Sequence, residues 1–341
     1  MIARHGLRES SFEAAAEAYT EAVGGSISSS SARRVTEGFG KRLAEGKERE
    51  AKRAMVIGQV GESPRERRVA LQDSIQGRGN VSSDGTMILV RGEGWKEVKM
   101  AAFSRVEILE PDSEKRRRAQ REGKRRREEI VRLSAHSYCA GLWDADTFGE
   151  YQYAEGLRRG LDLLERLSSV NDGAPWIERI TGTNFPHATQ AVDWSHSVGR
   201  LWAVANAVYG EGKPEATAWV ERRKDELWAG KVERVIQSLD RLNLDRASCP
   251  DEVRQAPGYF RNNCKRMRYD EFRAAGYPIG SGTVESGGKN VVKQRMCRPG
   301  RGWNRENAQA MLATLSEMHS KRFRWAWQQV YHPAAQSPPK F

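Results

Sequence analysis

From Gly79 the chain reads GNVSSDGTMILV, then RGEG, then WKEVKMAAFSRVEIL. Two apolar, strand-like runs flank the turn residues Gly92 to Gly94, which is the signal of a β-hairpin. Antiparallel strands are therefore part of the fold. The segment SAHSYCAGL, from residue 134, suits a third strand. TFGEYQYAEGLRRGLDLLERLSSV, from residue 147, then carries apolar residues at helical spacing. A short segment ending at Asp172 follows, then a helix, a short buried strand over Thr189 to Val192, and a further helix. This order predicts an α/β fold, a mixed sheet with helices on its faces.

Either side of that core the chain reads differently. Residues 1–75 are polar and helical, with serines placed to cap the charged stretch SSSSARRVTEGFGKRLAEGKEREAKRAM, which reads either as a DNA-binding helix or as a long solvated one. Residues 76–196 form the first part of the core. Residues 197–276 read as an all-helical insertion anchored by Trp202, Trp219 and Trp228. Residues 277–330 return to the core and end in helices, and 331–341 is a Pro-rich tail.

Charge narrows the partner. Lys plus Arg is 57 against 45 for Asp plus Glu, a net +12, and the pI is about 9.7. Such a balance points to nucleic acid. Half of the excess lies in EKRRRAQREGKRRRE, residues 114–128, where nine basic and three acidic residues give 9 − 3 = +6. Arg116, Arg117, Arg118, Arg125, Arg126 and Arg127 are candidates for salt-dependent capture of DNA phosphates. The alternative for this run is a solvated surface. No stretch has the roughly 18 to 20 consecutive apolar residues of a membrane span, so a membrane partner is not expected and the expected location is cytoplasmic. None of the cysteines, Cys139, Cys249, Cys264 and Cys297, makes a C-x-x-C pair, so their spacing does not suggest a zinc ribbon.

Three carboxylates sit beside glycine where elements begin or end: Asp84 in VSSDGTM, Asp172 in VNDGAPWI, and Glu285 in YPIGSGTVESGGKNVVKQRM. Each alone reads equally well as a turn, a cap or a helix-dipole acid. Together in a basic, mixed-sheet protein they offer an oxygen-donor set for Mg²⁺, with Mn²⁺ as a substitute, of the kind that supports phosphodiester displacement. Lys289 and Lys293 follow Glu285 at one and two helical turns, and with Arg295 they are candidates for flanking phosphate contacts. The glycines around Glu285 are expected to let DNA and metal approach the backbone closely. Asp193 and His196, in VDWSH, form a further spacing that can ligate metal, or an ordinary structural pair.

The motifs VSSDGTM, GWKEVKMAAF, DGAPWI, FPHATQAVDWSH, YPIGSGTVESGGKNVVKQRM and GWNRENAQAMLATLSE resemble those of the ISKra-type family of bacterial insertion-sequence transposases. The resemblance spans roughly residues 25–330, and its last four motifs are the specific ones. It implies an RNase H-like core interrupted by an all-helical insertion, and a DDE transposase that cuts and joins DNA with Mg²⁺. Asp84 would be the first catalytic acid and metal ligand, and Glu285 the last. Asp172 would be the second, with Asp193 and His196 as an accessory pair; the alternative makes Asp193 the second acid. Double-stranded DNA, both element ends and target, and a homodimer or larger assembly on that DNA are the implied partners, with the protein nucleoid-associated in a bacterium. Two other readings stay open: a catalytically silent DNA-binding remnant or repressor, and a nuclease of the same core without strand transfer.

Overall fold

A computed structural model describes residues 1–60, 74–109, 131–242 and 248–332. The arginine-rich run with Arg116, Arg117, Arg118, Arg125, Arg126 and Arg127 lies outside the described residues, as does most of the Pro-rich tail.

Three helices lead the chain: α1 (Ile2–Arg8), α2 (Phe12–Val23) and the long α3 (Ser29–Val60). A serine does cap the start of α3, since the Ser28 hydroxyl accepts the Ser31 N–H at 3.2 Å. The expected hairpin follows as β1 (Arg78–Val90) and β2 (Gly94–Ile108), antiparallel from Gly79↔Arg105 to Val90↔Gly94. Next come β3 (Val131–Gly141), α4 (Ala145–Arg158), β4 (Arg166–Asn171), α5 (Pro175–Asn184) and β5 (Thr189–Val192). They form one five-stranded sheet of order β3-β2-β1-β4-β5. β3 is antiparallel to β2, whereas β4 is parallel to both β1 and β5. The chain is thus an α/β protein with an RNase H-like mixed sheet flanked by helices.

One boundary differs from the sequence expectation. The helical spacing from residue 147 stops early: α4 ends at Arg158, and Gly160, at φ +70°, turns the chain out of the helix. Leu167 and Val170 beyond it, in RLSSVN, belong to β4 itself. A short, fully buried strand next to a parallel neighbour has no alternation to set it apart from a helix.

Alternation divides the hairpin between two cores. On one face Ile88, Val90, Val98 and Met100 pack under Val284, Val291 and Met311. These belong to α11, a continuous helical segment over 282–296, and to α12 (Arg305–His319). On the other face Val81 and Phe103 meet Phe148 of α4 and Ile180 of α5. The intervening helices are α6 (Trp194–Tyr209), α7 (Pro214–Trp228), α8 (Val232–Asp240), α9 (Asp251–Asn262) and α10 (Tyr269–Ala274). They build a third core with Val170 of β4 and Val192 of β5, so the helical insertion and the sheet edge share their apolar interior. Trp202 and Trp219 pack against that core, and Trp228 lies under the Arg273 guanidinium at 3.7 Å.

The last helix, α13 (Phe323–Tyr331), returns to α3, where Phe39 meets Phe323, Trp327 and Tyr331. Beside this cluster is a buried ionic network. Arg322 reaches Glu155 at 2.7 Å and Glu317 at 2.9 Å, Lys47 reaches Glu317 at 2.5 Å, and Arg158 pairs with Glu50. Through it α3, α4 and α12 hold one another by charge as well as by packing.

Candidate metal centre

Asp84 is the seventh residue of β1 (84 − 78 + 1 = 7), in mid-strand rather than at its start. It shares parity with Ile88 and Val90, so it lies on the sheet face that carries α11. β1 and β4 pair through Gly79↔Leu167 and Asn80↔Ser168. Beyond that the two backbones no longer bond directly. The Asn171 side chain spans the gap instead, its Oδ1 accepting the Ser83 N–H at 2.6 Å. The parallel offset is kept across this bridge: 168 − 80 = 88 and 171 − 83 = 88. The next pair at that offset is Asp84 and Asp172, since 172 − 84 = 88. Two acids 88 residues apart are thereby brought side by side where two parallel strands part.

Asp172 is the first residue past β4. Its Oδ1 accepts the Ala174 N–H at 2.9 Å, which closes the turn into α5, and its backbone carbonyl accepts the Tyr259 hydroxyl at 3.0 Å from α9. That turn engages only Oδ1, and an ionised carboxylate has about four acceptor sites in all.

Glu285 comes from the first turn of α11, and two fasteners fix that turn against the start of α6. The Trp194 N–H donates to the Ile279 carbonyl at 2.8 Å. Asp193 caps α6 by accepting the His196 N–H at 2.8 Å through Oδ1, and accepts the Ser281 N–H at 2.5 Å through Oδ2. The Ser281 hydroxyl then donates to Glu285 Oε1 at 3.0 Å, and His196 Nε2 lies 3.7 Å from the same oxygen.

The acids influence one another electrostatically. Burial pushes the Asp84 carboxyl above the ordinary carboxylate value, and the Gly85 N–H, 2.7 Å from Oδ1, pulls it back down. The negative charges of Asp172 and Glu285 raise it further, and His196 opposes them. A carboxylate set of this kind favours a cation. All its donors are hard oxygens, as Mg²⁺ prefers, so Asp84, Asp172 and Glu285 fit that ion by donor chemistry.

Asp193, His196 and Glu285 also offer ligand atoms within 4.8 Å of one another. Asp193, however, is only 1 % exposed, and each of its carboxylate oxygens already accepts a backbone N–H. Its geometry is that of a capping latch. His196 and Glu285, both about half exposed, stay open to a ligand.

The basic residues of α11 separate into two kinds. Lys289 and Lys293 are exposed on the helix that carries Glu285. A π-turn over Gly288–Lys293 rotates them away from the strict α-helical alignment with Glu285. Arg295 corrects the expectation of a phosphate contact. It is 3 % exposed, donates to the Gly6 carbonyl at 3.1 Å, and lies over the rings of Phe12 and Trp303 at 4.8 and 5.3 Å. Burial, with help from Arg301 and Arg298, lowers its guanidinium to about 10. Gly287 alone calls for a second correction. A Cβ on Gly287 would stand 2.8 Å from the Tyr138 ring and 3.0 Å from the Met100 methyl, so this glycine lets α11 lie close on the sheet rather than admitting DNA or metal.

Sequence reasoning did not find Asn171, Ser281 or Tyr259. An asparagine immediately before Asp172 was a usable signal, because an amide at the end of a buried strand needs a partner. Ser281, four residues before Glu285, was another. Nothing local marks Tyr259, which reaches the site from α9.

The chain matches no protein-family model and no curated protein. Among the described residues no helix is long and apolar enough to cross a membrane.

Proposed function

We propose that the chain is a DDE-type DNA transposase, cutting and joining double-stranded DNA with Mg²⁺ held by Asp84, Asp172 and Glu285. The observation that carries this reading is that the half-buried Asp84 carries the electrostatic influence of both Asp172 and Glu285, three acids from separate segments of a basic, RNase H-like chain. When bound, the ion neutralises phosphate charge and favours the attacking oxygen in its ionised form.

The chain's own residues do the rest. Asn171 holds β1 against β4 so that Asp84 and Asp172 stay side by side. Ser281 and the Asp193 latch orient Glu285. Lys289 and Lys293 take the phosphates that flank the reacting one. His196 stands 3.7 Å from Glu285, half exposed at the edge of the acid set. Joining two element ends calls for at least two copies on DNA.

The test is Mg²⁺-dependent cleavage and strand transfer on DNA carrying the element's ends, comparing wild type with Asp84→Ala. Cleaved and joined products that vanish in the variant support the transposase reading. Cleavage without joined products reduces it to a nuclease, and identical behaviour of the two proteins removes the enzyme reading altogether.

A further inference from the structure

The hairpin ends in an anomaly. Ile88, Val90 and Val98 are buried beneath α11 and α12, as one face of a half-buried hairpin should be. The other face should be polar, yet it carries Met87, Leu89 and Trp95 at 45, 37 and 61 % exposure. Leu89 and Trp95 are direct cross-strand partners, so they form one contiguous apolar surface with the indole outermost. A surface of this kind marks a binding site.

Its surroundings select the partner. The acids of the hairpin tip are already matched: Glu93 with Arg305 at 2.5 Å, and Glu97 with Lys99. Arg91 is exposed, and its stem lies with Leu89 against Gly302. Arg298 is exposed on the segment whose Cys297 thiol donates to the Met87 carbonyl at 3.3 Å. An exposed indole bordered by arginines, with the local acids neutralised, suits the faces of unpaired bases and the phosphates joining them. The surface is separate from the acid set: Leu89 is five residues from Asp84 along β1, about 17 Å, and points to the opposite face of the sheet.

We infer that the β1–β2 hairpin tip is a stacking surface for unpaired DNA bases, with Trp95 as the platform and Arg91 as its phosphate contact. This rests on the reading that DNA is the partner, and adds to it a site for single-stranded DNA away from the acids. The test is a titration of the full chain, without divalent metal, against a labelled single-stranded oligothymidylate and a blunt duplex at several salt concentrations.

Trp95→Ala is expected to weaken single-strand binding about ten-fold and to leave its salt dependence unchanged. Duplex affinity should barely move, and Trp95→Phe should keep most of the single-strand affinity. Arg91→Ala should lower the salt slope by about 1. Unchanged single-strand affinity in Trp95→Ala overturns the inference, and if that variant also loses self-association the surface is a contact between copies of this chain. Where wild type still cleaves DNA in a metal-dependent way, such a result removes the stacking surface alone; a wild type that binds no DNA removes the transposase reading with it.

Discussion

Asp193 accepts the backbone N–H of Ser281 at 2.5 Å while it caps α6 through the N–H of His196. That bond ties the start of the helix bearing Glu285 to the end of β5, and it assigns Asp193 a holding role. Removing it should loosen Glu285 more than it alters the chemistry. Asp193→Ala is expected to cost about 1–3 kcal/mol, as a lost cap plus an orphaned buried N–H. Thermal unfolding checks the cost. Cleavage at saturating metal should fall only partly, whereas Asp172→Asn should abolish it without destabilising the fold.

Asp84 should show the opposite pattern. Burial and two neighbouring carboxylates hold its carboxyl above the ordinary value, so at neutral pH its ionised form costs the metal-free protein stability. Asp84→Asn is expected to raise the melting temperature of the metal-free chain while abolishing cleavage. Mg²⁺ should raise the melting temperature of wild type and leave the variant unmoved, as binding to the native state alone requires.

Arg295 and the two exposed lysines should separate cleanly. Arg295→Ala should lower the melting temperature, because it empties a buried site between α1 and α11 that its guanidinium fills. Arg295→Met should recover much of the loss by filling that volume. Neither variant should change the salt dependence of DNA binding. Lys289→Ala and Lys293→Ala should leave stability alone, and each should reduce the salt slope by about 1.

What the sequence made legible, and what it did not, follows the range of the interactions. The hairpin was readable because Gly92 and Gly94 break two strand runs within a few residues. Thr189 to Val192 was readable because it is short, ends in Ala191 and Val192, and is bounded on both sides. Asp84, Asp172 and Glu285 could be singled out as candidates because each lies near glycine within a motif. Arg295 could not be placed, since its partner Gly6 is 289 residues away. Gly287 was misread for the same reason: local sequence cannot say whether a bare glycine faces solvent or the Tyr138 ring. The end of α4 was missed because β4 is buried and lacks the alternation that marks a half-exposed strand.

The ionic network beneath α3 sets the response to acid. Burial pushes the Glu317 and Glu155 carboxyls up, but Arg322, Arg158 and Lys47 outweigh it and hold both below the usual carboxylate range. Because their folded values are depressed, the stability they contribute is complete above the unfolded value of about 4.3 and drains away as pH falls below it. Glu317→Gln should cost about 3–5 kcal/mol at neutral pH, since it leaves Lys47 and Arg322 short of a buried partner. It should also flatten the acid limb of a plot of stability against pH, which denaturant unfolding across pH 2 to 7, roughly the carboxylate range, would reveal.

Calorimetric titration of Mn²⁺ into the metal-free chain tests the central claim most directly. Wild type and Asp193→Asn should bind the ion, and Asp84→Asn, Asp172→Asn and Glu285→Gln should each lose that binding. Binding that survives in Asp172→Asn but disappears in Asp193→Asn, or a wild type that takes up no ion, would contradict the account.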